Sequence, residues 1–137
     1  RVGLITFDRT VHFYNLQAGL QQAQMLVVGD ILDMFVPINE GLLVDPQESR
    51  PAIEHLLTSL DTLFAQTQIA EAALGAAIKA CQGALKYFGG QANIFQTSLP
   101  STGPGSLKHR EDSKLYGTDK ERTLFTAQDP FYRQVGE

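Results

Sequence analysis

The spacing of hydrophobic positions changes several times along the chain, and each change marks an element. Residues 2–7 read Val-Gly-Leu-Ile-Thr-Phe. In a strand, Val2, Leu4 and Thr6 share one face, and Gly3, Ile5 and Phe7 the other. Both faces are largely apolar, which predicts a strand covered on both sides. After Asp8-Arg9-Thr10, residues 11–16 alternate Val11, Phe13 and Asn15 with His12, Tyr14 and Leu16. That pattern predicts the second arm of a hairpin, nearer a sheet edge, where Val11 to Tyr14 could face another chain. The polar stretch Gln17 to Gln24 then leads into Met25-Leu26-Val27-Val28, a short apolar run stopped by Gly29-Asp30 and read as a third strand. Ile31 to Pro37 fits either period, and Leu42-Leu43-Val44 is a further short apolar piece before Asp45-Pro46.

From there the period lengthens. Ile53, Leu56, Leu57, Leu60, Leu63 and Phe64 recur at spacings of three and four, predicting a helix over about 47–64 with one apolar face. Asp45 or Ser49 can cap its start, and Pro51 fits only in its first turn. A second helix is predicted over about 69–88. Its stripe of Ala73, Ala76, Ala77, Ala80 and Ala84 lets it lie close to a neighbour, and Gly89-Gly90 ends it. Residues 92–99 alternate Ile94, Gln96 and Ser98 with Asn93, Phe95 and Thr97, predicting another strand.

Pro100 to Arg122 changes character: Pro100, Gly103, Pro104 and Gly105 mark a turn region, followed by mixed charges. A loop this long inside a compact domain is usually functional or disordered. Asp129-Pro130 opens a last helix. The order strand, strand, strand, helix, helix, strand, loop, helix predicts an α/β fold with a central sheet.

Composition narrows the function classes. The 137 residues suit one domain, and 43% hydrophobic with 19% charged residues fits a globular core rather than disorder. A net charge of −4 argues against binding nucleic acid through bulk charge. No apolar run approaches the length of a membrane span, and the opening residues lack a charged-then-apolar leader pattern. The single cysteine, Cys81, excludes an internal disulfide framework and fits a reducing compartment. These features predict a soluble, cytosolic piece of protein.

Candidate chemistry is sparse. His12, His55, His109 and Cys81 show no metal-ligand spacing. Cys81 lies within an alanine-rich helix and reads as a packed thiol. Gly89-Gly90-Gln91 matches a release-factor tripeptide but stands where a helix meets a strand. Gly103-Pro104-Gly105 lacks the Lys-Ser/Thr of a phosphate loop. Asp30 with Asp33, and Glu111 with Asp112, read as solvated turns rather than acid–base pairs. No Gly-x-Ser-x-Gly is present, so no catalytic residue is assigned. The polar stretch Ser106-Leu107-Lys108-His109-Arg110-Glu111-Asp112 reads either as a solvated loop or as a contact surface. Lys108 and Arg110 could meet acidic groups on a protein or lipid partner.

Six stretches together carry a family resemblance: VGLITFDRTVHFYNL (2–16), QAQMLVVGDILDMFVP (24–37), LLVDPQESRPAIEHLL (42–57), ALGAAIKA (73–80), GGQANIFQTSLP (89–100) and GPGSLKHREDSK (103–114). In this order they resemble the trunk domain of the cargo-adaptor subunit of the COPII vesicle coat, across nearly the whole chain. The resemblance implies a von Willebrand factor A-like three-layer sandwich with a central, mostly parallel sheet. Residues 1–137 would form a partial trunk with an exposed loop at about 100–122. The first strand and the C-terminal strands would lie outside the chain, leaving apolar faces uncovered.

The resemblance also implies a role. Such a trunk is non-catalytic and contacts the partner coat subunit, the activator of the coat GTPase. The complete adaptor reads cargo export signals, including those of SNARE proteins, on the cytoplasmic face of the endoplasmic reticulum, for transport to the Golgi. It is peripheral to the membrane, binds no nucleic acid, and holds zinc in an upstream domain. No cofactor is expected in the present segment. Metal-binding A-type relatives use Asp-x-Ser-x-Ser plus later Thr and Asp residues. This chain offers Thr97-Ser98-Leu99-Pro100 where the late Asp would stand, a weak set for a hard cation. Two rivals remain: a metal-dependent ligand-binding A-type domain, and a doubly wound enzyme, for which no phosphate loop or nucleophile is visible.

Overall fold

A computed structural model describes residues 1–137. Three strands form one sheet: β1 (Ile5–Phe7), β2 (Val11–Asn15) and β3 (Gln24–Val28), in the order β1-β2-β3. Both pairings are antiparallel, with Thr6 opposite His12 and Phe13 opposite Leu26. Two helices follow, α1 (Arg50–Phe64) and α2 (Leu74–Leu85). A 3₁₀ turn at Asp119–Phe125 and a short helix α3 (Phe131–Gly136) complete the chain.

Alternation along β2 divides the core. Val11 and Phe13 join Val28, Leu42, Ala73, Ala76 and Ala80 on the α2 side. Tyr14 and Leu16 join Val44, Ala52 and Leu56 on the α1 side. One helix thus packs on each face of the sheet, giving three layers, as a strand with two apolar faces requires. Each large side chain so buried contributes about 1.5–3 kcal/mol.

The sheet differs from expectation in three ways. The described strands are all antiparallel, not mostly parallel. The turn Asp8 to Thr10 and the link from Leu16 to Ala23 are too short for a parallel crossover, which needs a dozen residues or more. Next, β2 is the central strand rather than an edge, because β3 pairs along its full length. Val11 to Tyr14 are therefore all buried and cannot face another chain. Finally, residues 92–99 form no strand. Phe95 is 92% exposed, and β1, whose only strand partner is β2, lies across a groove from this segment. An extended segment becomes a strand only where a neighbour takes its backbone groups.

The helices match their periodicity with shifted starts. Asp45 accepts the Gln47 and Glu48 amides through one carboxylate oxygen, at 2.8 and 3.4 Å, and so caps the turn before α1. Ser49 occupies the N-cap position, makes no side-chain cap bond, and is buried; Pro51 stands in the first turn. Helix α2 begins at Leu74 rather than near Ile69 because residues 72 and 73 are held elsewhere. The Ala73 amide donates to the Asp8 carbonyl at 2.7 Å, and the Ala72 carbonyl accepts the Ser101 amide at 3.0 Å. The Ala72 amide donates to Ser101 Oγ, also at 3.0 Å. At the other end, the Gly89 amide donates to the Leu85 carbonyl at 2.8 Å with a φ of +66°, the left-handed stop expected there. Ile31 to Pro37 is neither strand nor helix. Asp30 accepts the Leu32 and Asp33 amides in an Asx turn, and Ile31, Met34 and Val36 pack toward α2. Val44 forms a paired bridge with Val2, two bonds of 2.9 Å, so residues 42–44 tie the start of the chain to the loop before α1.

Candidate functional site

Two features rise above the general surface: a groove beside β1 and the charged loop after Pro100. The groove has a volume of about 730 Å³. Leu4 to Asp8 form one wall and Asn93 to Ser98 the other, while Leu60 and Phe64 of α1 and Ala77 of α2 close it from the two helix layers. It therefore lies along the open side of the sheet. Its lining is mainly apolar. The formally charged side chains along it are Asp8 and Glu71, and neither Lys nor Arg contributes.

Polar side chains gather at its β1–β2 wall. His12 Nδ1 lies 3.0 Å from Thr6 Oγ1, which in turn lies 2.8 Å from the Tyr14 hydroxyl. His12 Nε2 lies 3.0 Å from Thr10 Oγ1 and 3.7 Å from an Asp8 carboxylate oxygen. The Phe64 ring stands 5.5 Å from the imidazole, centroid to centroid. Burial holds the His12 pKa below its ordinary value, against the opposing pull of the Asp8 charge. Burial raises the Tyr14 phenol, opposed by the Thr6 hydroxyl. Sequence reasoning did not find this cluster. The alternation Thr6, His12, Tyr14 places polar atoms on one face, but only strand register puts Thr6 opposite His12.

The sequence candidates Lys108 and Arg110 lie close together in the loop but do different things. The Lys108 backbone is clamped by Gln128, whose amide oxygen accepts the Lys108 N–H at 2.9 Å and whose amide nitrogen donates to the Lys108 carbonyl at 2.6 Å. The Lys108 side chain is in no ion pair. Arg110 instead turns inward along the loop. Its Nη1 donates to the Thr126 carbonyl at 2.6 Å and, at 3.3 Å, to the Thr123 carbonyl, which also accepts the Thr126 hydroxyl at 2.8 Å. The guanidinium is thus a fastener between residue 110 and the turn at 119–125, with donors to spare.

The remaining candidates are not brought together. Cys81 is half-buried and makes no disulfide. Burial pushes its thiol pKa up, which lowers its thiolate fraction. Asp30 is occupied by its turn. Gly103 and Gly105 have φ of +74° and +68° around Pro104, a tight turn that holds its carbonyl against Gly75. No cluster of three His, Cys, Asp or Glu side chains stands where a metal ion would be held.

Comparison with known proteins gives these features a family. The Sec23/Sec24 trunk domain matches residues 1–137. The chain is 46% identical over 136 residues to the Arabidopsis thaliana protein transport protein SEC24 A, covering 98% of this chain and 13% of that protein. It is 44% identical over 140 residues to the Homo sapiens protein transport protein Sec24C, covering all of this chain and again 13% of the relative. The crystal structure of the human COPII-coat protein Sec24c superposes with a TM-score of 0.90 at 43% identity, covering 98% of this chain and 18% of that one. The chain therefore spans roughly an eighth of these curated relatives' length. A family match over every residue, joined to a superposition of this quality, places the chain in the Sec23/Sec24 trunk-domain family.

Proposed function

We propose that this chain acts as a non-catalytic, protein-binding trunk of a COPII coat cargo adaptor. The observation that carries the reading is the correspondence along nearly the whole chain, in sequence and in backbone, with a human COPII-coat protein. The chemistry agrees with it. The groove is apolar and open, the cysteine is a packed thiol, and the polar cluster at His12 is consumed by its own hydrogen bonds. No helix is long and apolar enough to cross a membrane. In this reading the trunk contacts the partner coat subunit and supports selection of cargo export signals, SNARE signals among them. It does so from the cytoplasmic side of endoplasmic reticulum exit sites. Its helix–sheet–helix layers would belong to an A-type domain, with zinc confined to a separate domain. Of the two candidate cations, Lys108 is the one free to meet an acidic group on a partner.

Calorimetric titration of the full chain with the partner coat subunit tests the reading, in magnesium and again with magnesium chelated. Binding that survives chelation supports it. Absence of binding overturns it, and binding that vanishes with magnesium transfers the chain to the metal-dependent A-type domains.

A further inference from the structure

His12 is 5% exposed and Tyr14 1%, and the contacts around them fix the direction of every hydrogen bond. The Asp8 carboxylate oxygen accepts the Thr10 amide at 2.8 Å and the Thr10 hydroxyl at 3.0 Å. A carboxylate has no proton to give, so the single Thr10 hydroxyl proton points to Asp8. The same hydroxyl oxygen lies 3.0 Å from His12 Nε2, so Nε2 must donate to it. A neutral imidazole that donates from Nε2 accepts at Nδ1, so the Thr6 hydroxyl donates there. Thr6 then has no proton left for Tyr14, and the Tyr14 hydroxyl donates to Thr6.

We propose that Tyr14, Thr6, His12, Thr10 and Asp8 form one directed hydrogen-bond chain that holds the β1–β2 wall of the groove while His12 is neutral and loosens it when His12 takes up a proton. An imidazolium donates from both nitrogens. Thr6 can then no longer donate to Nδ1: either it donates to Tyr14 and strands the Tyr14 proton, or it accepts from both neighbours and strands its own, so one hydroxyl proton of the chain loses its acceptor. The groups facing the ring are Thr6 from β1, Tyr14 from β2, Asp8 and Thr10 from the turn, and Phe64 from α1. Among them Asp8 is the one charged group, and its charge favours the imidazolium. Glu71 and Cys81 line the same groove further along.

The sign of the pH dependence follows. With the folded pKa held below about 6.5, the unfolded chain binds more protons between the two values. The contribution is therefore complete above about pH 6.5 and is lost as pH falls toward the folded pKa.

Nitrogen-15 NMR of the histidine-labelled full chain decides the matter. The expected result is the Nε2–H tautomer for His12, titrating below the ordinary histidine value of about 6.5. Severalfold faster amide exchange in β1 and β2 is expected at about pH 5.5 than at about pH 7.5, once the intrinsic rate is removed. An Nδ1–H tautomer, a His12 titration at or above about 6.5, or unchanged protection would overturn the proposal. Two substitutions separate charge from direction. Asp8→Asn keeps an acceptor for Thr10, so the tautomer should persist while the titration point falls further. Asp8→Ala frees the Thr10 proton, and either tautomer then strands one hydroxyl, so both should appear. A pure Nε2–H tautomer in Asp8→Ala would show that something other than this chain sets the ring.

Discussion

Phe13 and Phe125 carry the same side chain in opposite surroundings. Phe13 is fully buried between β2 and α2, and Phe125 is 82% exposed at the end of the 3₁₀ turn. The contrast extends to the regions they belong to. Up to Ala80 the chain is a packed structure, with two apolar clusters on either side of a hydrogen-bonded sheet. After Ala80 only Gly105 is buried. That second region is held by side chains reaching backbone: Arg110 to Thr126, Gln128 to Lys108, Thr118 to Leu115, and the Tyr132 hydroxyl to the Gly105 carbonyl at 2.7 Å. Apolar burial acts over the whole cluster at once and is cooperative. Exposed side-chain to backbone bonds compete with water and each contribute little. The difference teaches that global stability resides in the first region and that the second can change shape at small cost.

The comparison breaks most sharply at the two phenylalanines. Phe13→Ala should cost about 3–5 kcal/mol in chemical denaturation, enough to unfold a marginal domain. Phe125→Ala should stay within about 0.5 kcal/mol of the parent. Equal effects would end the two-region description.

Gly75→Ala tests the seam between the regions. A β-carbon at Gly75 would fall on the Pro104 carbonyl. The helix and the 103–105 turn must then part, with an expected loss of about 1–3 kcal/mol and faster amide exchange on both sides of the seam. A neutral result would mean that the turn is already loose.

Arg110→Ala should leave the denaturation midpoint unchanged and raise amide exchange across residues 119–128, since it removes the donor to the Thr126 carbonyl and the tie from residue 110 to this turn. Lys108→Glu should change neither stability nor exchange, because only the Lys108 backbone is engaged. If Lys108 meets an acidic partner, the same substitution should weaken binding, with the loss growing at low salt. An effect on exchange but not on binding would reverse the roles given to the two residues.

Reading the sequence located β1, β2, β3, α1 and α2 because each has a period of its own. The alternation of Ile5 and Phe7 with Leu4 and Thr6, and the three-four spacing from Ile53 to Phe64, are local properties of the chain. The stripe of alanines from Ala73 to Ala80 gave the close-packed face of α2, and four of them are buried. The six stretches gave the family. Residues 92–99 show the limit: an alternating segment specifies strand propensity, but a strand exists only when a second backbone lies beside it. The start of α2 was hidden for a related reason, since Asp8 and Ser101, distant in sequence, take the backbone groups of residues 72 and 73.

The sequence by itself determined where apolar surface must be buried and which helices would bury it, because side-chain periodicity is written residue by residue. Tertiary structure decided which strand is central, that every pairing is antiparallel, and that His12 joins Thr6, Thr10, Tyr14 and Asp8 in one chain. It also turned Arg110 from a free cation into a fastener. These outcomes depend on register and on contacts between residues far apart in sequence, and no local pattern encodes a distance across the fold.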